Sequence, residues 1–391
     1  MSSMSSYISG VVQEIPPSGI RKFFDLVTQT EGVISLGVGE PDFVTPWHIR
    51  EACFYSLEKG YTMYTSNLGL PELREEIAAY EKRKIGVSYS PADEILVTVG
   101  VSEAVDLALR ALIEPGDEVL VPEPSYVSYA PGTKLVYGKP VPLLTYDADE
   151  YRLRPDILEK AITPRSKVLI LPFPNNPTGG IMKAEDLQAL VDIIIKNDLI
   201  VLSDEIYAEL TYEGEHVSIA SFPGMRDRTI VFNGFSKAFA MTGWRIGYAC
   251  GHPDIINAMN KIHQYTIMCA PIMAQMAAIE ALRHGEGEMR KMVDNYNYRR
   301  KLMLNGFRQI GLSCFEPRGA FYCFPSIKNS GMNSEDFCEK LLKEEKVAVV
   351  PGNAFGNCGE GYIRCCYAAS VGNIEEAIER MGHFLARHRK G

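Results

Sequence analysis

Between Glu94 and Gly234 the chain repeats one theme five times, and that repetition limits the folds open to it more than any other feature. A short run rich in Val, Ile and Leu is followed by Gly, Pro or polar punctuation, then by a stretch with apolar residues at helical spacing. The runs are Glu94–Gly100 (EILVTVG), Glu118–Glu123 (EVLVPE), Lys167–Phe173 (KVLILPF), Leu199–Asp204 (LIVLSD) and Thr229–Gly234 (TIVFNG). Their hydrophobicity is continuous rather than alternating, which is what a strand needs when both its faces are covered. Ser102–Leu112 and Ala184–Lys196 have the helical spacing of the crossover connections that parallel strands require. The expected fold class is α/β, a mostly parallel sheet covered by helices on both faces.

The pattern changes after Gly285. Glu286–Gly311 reads as one long charged helix closed by glycine, and beyond it short strand-like pieces (Ala320–Pro325, Val347–Val350, Tyr362–Cys366) alternate with helices. These pieces are too few for a second large sheet and predict a smaller α+β domain. The expected organisation is an N-terminal arm and part of the small domain over 1–45, a large domain over 46–285, and a linking helix with the C-terminal small domain over 286–391. Within the arm, Ile20–Thr28 has the spacing of a short helix.

With 391 residues, 46% hydrophobic and 23% charged, the chain is long and apolar enough for two to three buried cores at about 150 residues each. The net charge of −9 would repel a phosphate backbone, so nucleic acid is not an expected partner. No apolar stretch approaches the ~20 residues that cross a bilayer, and Met1–Gly10 has neither the basic nor the apolar region of an export signal. No membrane association and a cytoplasmic location are expected. The nine cysteines include no C-x-x-C and sit in apolar surroundings, reading as reduced small hydrophobes. The seven histidines show no i, i+4 pair, so no protein-held metal is expected.

In open α/β sheets ligands gather beyond the carboxyl ends of the strands. After EILVTVG come Val101 and Ser102, opening a helix; after LILPFP come Asn175, Asn176, Pro177, Thr178 and Gly179. After LIVLS come Asp204, Glu205 and Tyr207, and after TIVFNGFS comes Lys237, with Arg245 eight positions on. Each has a plain structural reading. Asp204 ends a strand as turn formers do, Ser102 suits an N-cap, Asn-Pro-Thr-Gly suits a turn, and Lys237 and Arg245 suit a solvated surface. Together, however, they supply an amine for an aldehyde, a carboxylate for a pyridine nitrogen, donors for a phenolate oxygen, and a helix N-terminus with a cation for a phosphate. That set matches the needs of pyridoxal phosphate.

Gly234–Gly247 (GFSKAFAMTGWRIG) resembles the pyridoxal phosphate attachment site of the class I and II aminotransferases, the fold type I or aspartate aminotransferase superfamily. Further similar segments follow in the right order: Ser35–Phe43, Tyr61–Arg74, Val97–Ala104, Pro122–Tyr126, Asn175–Gly180, Ser203–Leu210, Pro317–Tyr322 and Gly361–Ala368. SGIRKFFDL (Ser18–Leu26) is similar to the bacterial aminotransferase A type.

The resemblance implies that Lys237 forms the bond to the cofactor aldehyde and carries protons in catalysis. It implies Asp204 at the pyridine nitrogen, Tyr207 and Asn176 at the phenolate oxygen, and Tyr126 on the ring face. Gly100, Val101, Ser102 and Arg245 would bind the phosphate. Arg364 would grip the substrate α-carboxylate, helped by Asn176 and the Gly39 backbone, and Tyr64 would reach the neighbouring subunit's phosphate site in a homodimer. The reaction implied moves the amino group of an L-amino acid to a 2-oxo acid, 2-oxoglutarate being the expected acceptor, by a ping-pong cycle.

Two departures stand out. Many relatives carry a phosphate-binding serine three residues before the lysine, where this chain has Gly234, so Ser236 is the expected substitute. Tyr126 replaces the tryptophan of the aspartate-specific branch, which weakens an inference of dicarboxylate preference. Gly37-Val38-Gly39 is superficially a dinucleotide loop, but Asp42 stands where a third glycine is needed. The rival enzyme reading is a pyridoxal-phosphate C–S β-lyase of the cystathionine or cysteine type. A cofactor-sensing regulator is disfavoured by the absence of a basic N-terminal DNA-binding segment.

Overall fold

The computed structural model describes residues 4–17, 19–20 and 31–388. The short helix expected at Ile20–Thr28, like most of the Ser18–Leu26 motif, lies outside the described residues. The strands in chain order are β1 (Ile34–Ser35), β2 (Ile95–Thr98), β3 (Glu118–Glu123), β4 (Lys139–Leu144), β5 (Ser166–Leu171), β6 (Ile200–Asp204), β7 (Thr229–Gly234), β8 (Gly247–Cys250), β9 (Tyr322–Cys323), β10 (Val347–Ala348), β11 (Val350–Pro351) and β12 (Ile363–Cys366). Seven of them form the large sheet in the order β2-β8-β7-β6-β5-β3-β4. Pairing is parallel from β4 through β7, while β8 runs antiparallel to both β7 and β2.

The continuous apolar runs have a direct cause in this architecture. Val168 and Ile170 of β5 enter one core with Leu202, Ile230 and Phe232, against the helices Val101–Leu112 and Pro253–Thr266. Leu169 and Leu171 enter the opposite core with Val201, against the helix Ala184–Lys196. Successive side chains point to opposite faces, so a strand buried on both must be apolar at every position.

Two strands of the large sheet were not expected. β4 (KPVPLL) contains two prolines and lies at the sheet edge, where a missing N–H costs no ladder bond. β8 (GYAC) is short and follows directly on the lysine loop, so its sequence reads as loop. The run Val347–Val350 also divides: β10 pairs in parallel with β1, and β11 pairs with β12, which in turn pairs with β9. The β1–β10 ladder ties the N-terminal chain to its last third. Glu286–Ile310 is a single helix with Gly311 in the left-handed conformation at its end, as read from the sequence.

A layer of buried acids lies behind the sheet. Glu81 accepts a hydrogen bond from the Tyr248 hydroxyl at 2.5 Å, and Glu205 accepts from Ser203 and Ser218 hydroxyls at 2.7 and 2.6 Å and contacts His216 Nε2 at 2.7 Å. Burial pushes the Glu81 carboxyl up to about 8; the Tyr248 hydrogen bond opposes this, and the Glu205 and Glu209 charges add to it. The folded chain therefore holds a proton that the unfolded chain releases at the ordinary carboxylate value. The protonated group's advantage is complete at acidic pH and is lost as pH rises from the ordinary value through about 8. Thermal melts should accordingly show Glu81→Gln gaining on the parent chain between pH 5 and pH 9. A constant difference in melting temperature across that range would remove Glu81 as the source.

None of the nine cysteines is disulfide-bonded, and five of them are buried. Among the described residues no His/Cys/Asp/Glu cluster suited to a metal occurs, and no helix is long and apolar enough to cross a membrane.

Candidate active site

Beyond the carboxyl ends of β2, β5, β6 and β7 lies a cleft of about 720 Å³. It is lined by Lys237 and Ser236 after β7, Asp204 and Tyr207 at the end of β6, and Asn176 after β5. Val101 and Ser102 line it from the helix that follows β2, with Tyr126 beyond β3. Arg245 joins them because β8 runs backwards: Gly247 pairs with both Gly234 and Thr98, so the residues before β8 emerge at the same edge as those after β2 and β7. Gly39 and Arg364 close the cleft from the side of the small sheets.

Gly100 does not itself line the cleft; it is the N-cap of the helix Val101–Leu112, with φ 77°, and a Cβ there would stand 2.6 Å from Arg245 Nη2. The plain reading of Ser102 as the cap of this helix does not hold, because the helix begins at Val101 and Ser102 sits inside its first turn without a capping bond. Tyr64 is not brought to the cleft of its own chain and is 80% exposed. At Gly234 a Cβ would stand 2.9 Å from the Gly247 Cα and 3.1 Å from the Ile246 carbonyl oxygen. The close pairing of β7 with β8 leaves no room for the serine of other sequences.

The charged groups have defined partners. Lys237 Nζ donates to the Gly39 carbonyl at 2.7 Å. Burial lowers its basicity to about 8; Cys366 and Glu40 oppose that shift, while the Arg364 and Arg245 charges reinforce it. Asp204 is buried and accepts from the Tyr129 hydroxyl at 2.7 Å and the Ile206 N–H at 3.3 Å. Burial raises its carboxyl to about 6 against the pull of those two donors, and a cation placed beside it would bring it down again.

Arg364 is 2% exposed, and its guanidinium lies 4.5 Å from the Tyr322 ring centre and 4.8 Å from that of Phe355. Nη1 donates to Asn176 Oδ1 at 2.8 Å and Nη2 to the Gly37 carbonyl at 2.6 Å, while Nε is buried with no partner. Of five N–H groups, two are committed and three remain for an anion. Because Asn176 Oδ1 faces Arg364, its amide N–H groups are left to donate elsewhere. Arg245, in the left-handed conformation, is held by an Nη1 bond to the Thr242 carbonyl at 2.9 Å.

Two residues assigned no role in the sequence take part. Tyr129, which holds Asp204, opens the helix Tyr129–Leu135 three residues after Tyr126, with the two rings edge to face at 5.7 Å. The repeated tyrosine in PSYVSY was the available signal. Tyr322, whose hydroxyl is 2.7 Å from that of Tyr207, sits in the Pro317–Tyr322 motif and had no signal separating it from core.

The arrangement fits pyridoxal phosphate on its own chemistry. One cavity holds an amine of lowered basicity, a buried carboxylate to face a ring cation, an arginine with an orphaned buried N–H, and a helix N-terminus beside a second arginine.

Comparison with known proteins shows the family. The family described as "Aminotransferase class I and II" matches residues 31–381. The chain is 54% identical over 382 residues to a Bacillus subtilis protein named "Putative aminotransferase YugH", covering 98% of this chain and 99% of that one. It is 47% identical over 377 residues to an aspartate aminotransferase of Pyrococcus abyssi, covering 95% and 96% of the two chains. The crystal structure of an aromatic aminotransferase from Pyrococcus horikoshii superposes with a TM-score of 0.90 at 45% identity, covering 93% of this chain and 99% of that one.

Proposed function

The chain belongs to the class I and II aminotransferases, enzymes of this fold that use pyridoxal phosphate, and from that premise we propose that it moves the amino group of an L-amino acid to 2-oxoglutarate in two half-reactions that share one site. The observation that carries this reading is the convergence of Lys237, Asp204 and Arg364 on a single cleft. When bound, pyridoxal phosphate supplies an aldehyde for the amino group and a ring that withdraws electrons from the substrate Cα.

The chain's own residues do the rest. Lys237 would anchor the cofactor and move the proton at the substrate Cα, and its basicity near 8 suits it to act as both base and acid near neutral pH. Asp204 would hold the positive charge of the ring nitrogen, and Tyr129, bonded to it, keeps that carboxylate aimed. Tyr207 and Asn176 would donate to the phenolate oxygen, and Tyr126 would cover the ring face. Gly100, Val101, Ser102, Ser236 and Arg245 receive the phosphate, where a helix N-terminus and a guanidinium favour an anion. Arg364 orients the substrate by its carboxylate, which fixes the Cα–H bond for removal.

The unit is proposed to be a homodimer in which Tyr64 completes the partner's phosphate site. Supporting this, the helix Trp47–Glu58 and the segment after it expose Trp47, Phe54, Met63 and Tyr64, an apolar surface unusual for a free monomer.

A panel of amino donors tested on the dimeric fraction against 2-oxoglutarate and pyruvate checks the reading. The expected result is one oxo acid formed per amino group transferred, with parallel double-reciprocal plots. Release of ammonia or sulfide without transfer would instead favour the C–S β-lyase.

A further inference from the structure

We propose that Tyr322 is a positioning residue that joins the two halves of the site, its hydroxyl acting through Tyr207 and its ring through Arg364. The inference rests on the roles proposed above for those two residues.

Tyr322 lies on β9 and is 1% exposed. β9 is paired with β12 in a register that sets Tyr322 opposite Cys366. Arg364 is two residues before Cys366 and so lies on the same face, diagonal to Tyr322. That register explains why the guanidinium rests 4.5 Å from the Tyr322 ring centre. The hydroxyl meanwhile reaches across to the large sheet, 2.7 Å from the Tyr207 hydroxyl. It also abuts the segment that receives Lys237: a Cβ at Gly39 would stand 2.5 Å from the Tyr322 Oη.

The direction of the tyrosine pair follows from proton counting. A phenol has one proton to give. If Tyr207 gives its proton to the cofactor's phenolate oxygen, the 2.7 Å bond must be donated by Tyr322. Burial raises both phenols above their ordinary value, so both are neutral and able to donate. The other ionisable groups facing the pair are Arg364, Cys366 and Tyr126, with Lys237 5.7 Å from the Tyr207 ring centre. A donor that is itself hydrogen-bonded at its oxygen donates more strongly. Tyr322 thus strengthens the pull of Tyr207 on the phenolate oxygen and, through its ring, keeps Arg364 flat for the substrate carboxylate.

The two effects separate by substitution. In Tyr322→Phe the ring remains and the hydroxyl is lost, so the phenolate oxygen keeps more electron density and the nitrogen beside it holds its proton to higher pH. Spectrophotometric pH titration of the reconstituted holoenzyme should show the midpoint of the visible absorption rising by about half a unit or more. The same substitution in a Tyr207→Phe background should add no further rise. The KM for the amino donor should stay within about twofold in Tyr322→Phe and rise about tenfold in Tyr322→Leu, where the ring is absent.

An unmoved midpoint in Tyr322→Phe, or an equal rise without Tyr207, would overturn the role of the hydroxyl. Equal KM values in the Phe and Leu variants would overturn that of the ring. Tyr322→Phe preserves the packing, so its titration decides the proposal even where Tyr322→Leu does not fold. A parent enzyme that shows no titrating absorption at all would instead refute the cofactor site.

Discussion

Replacing Lys237 with alanine is expected to abolish amino transfer, by at least about 10⁴-fold, while leaving a folded protein. The size of the effect follows from the site's economy of bases. Among the described residues lining the cleft, Lys237 is the amine, and the carboxylates are Asp204, tied to Tyr129 and Ile206, and Glu40, which accepts from the Thr242 hydroxyl at 3.1 Å. No other lining group is placed to take over both the covalent anchor and the proton transfer. Borohydride treatment of the parent protein with pyridoxal phosphate should fix a pyridoxyl group on Lys237, detectable by peptide mapping, and none should be fixed in the variant. Near-normal transfer by Lys237→Ala would end the reading of this cleft as the catalytic site.

For Arg364→Lys a loss in kcat/KM of order 10² or more is expected, chiefly through a raised KM for both amino and oxo acids. A lysine keeps the charge but not the plane. It cannot hold Asn176 Oδ1 and the Gly37 carbonyl while still presenting parallel N–H groups, and it loses the seat between the Tyr322 and Phe355 rings. Release of Asn176 should also slacken the phenolate contact, so the variant's visible absorption should titrate differently from the parent's. Unchanged steady-state constants would remove Arg364 from the substrate's path.

Much of this was legible in the sequence because the signals were redundant. Five of the seven large-sheet strands announced themselves through continuous apolar runs, each a consequence of burial on both faces. The strand-end residues Asn176, Asp204, Tyr207 and Lys237 could be placed together by the rule that parallel strands deliver their carboxyl ends to one edge. Arg245 came to the same edge for a reason the sequence hid, since β8 is four residues long and antiparallel. Tyr129 and Tyr322 were missed because their work is done through other residues: an aromatic at core spacing gives no sign that its hydroxyl meets a carboxylate or a second phenol. The plain reading of Ser102 as a cap is off by two positions, because Gly100, with its positive φ, caps the helix without a side chain.

The contact between Arg364 and the Gly37 carbonyl spans 327 positions of chain. The groups proposed for the cofactor come almost entirely from the middle of the polypeptide, whereas the proposed carboxylate clamp, Asn176 apart, is assembled from its two ends. During synthesis the clamp cannot form until nearly the whole chain has left the ribosome, so a nascent or C-terminally clipped enzyme would have its coenzyme-facing edge in place before it had any means of selecting what that coenzyme acts upon.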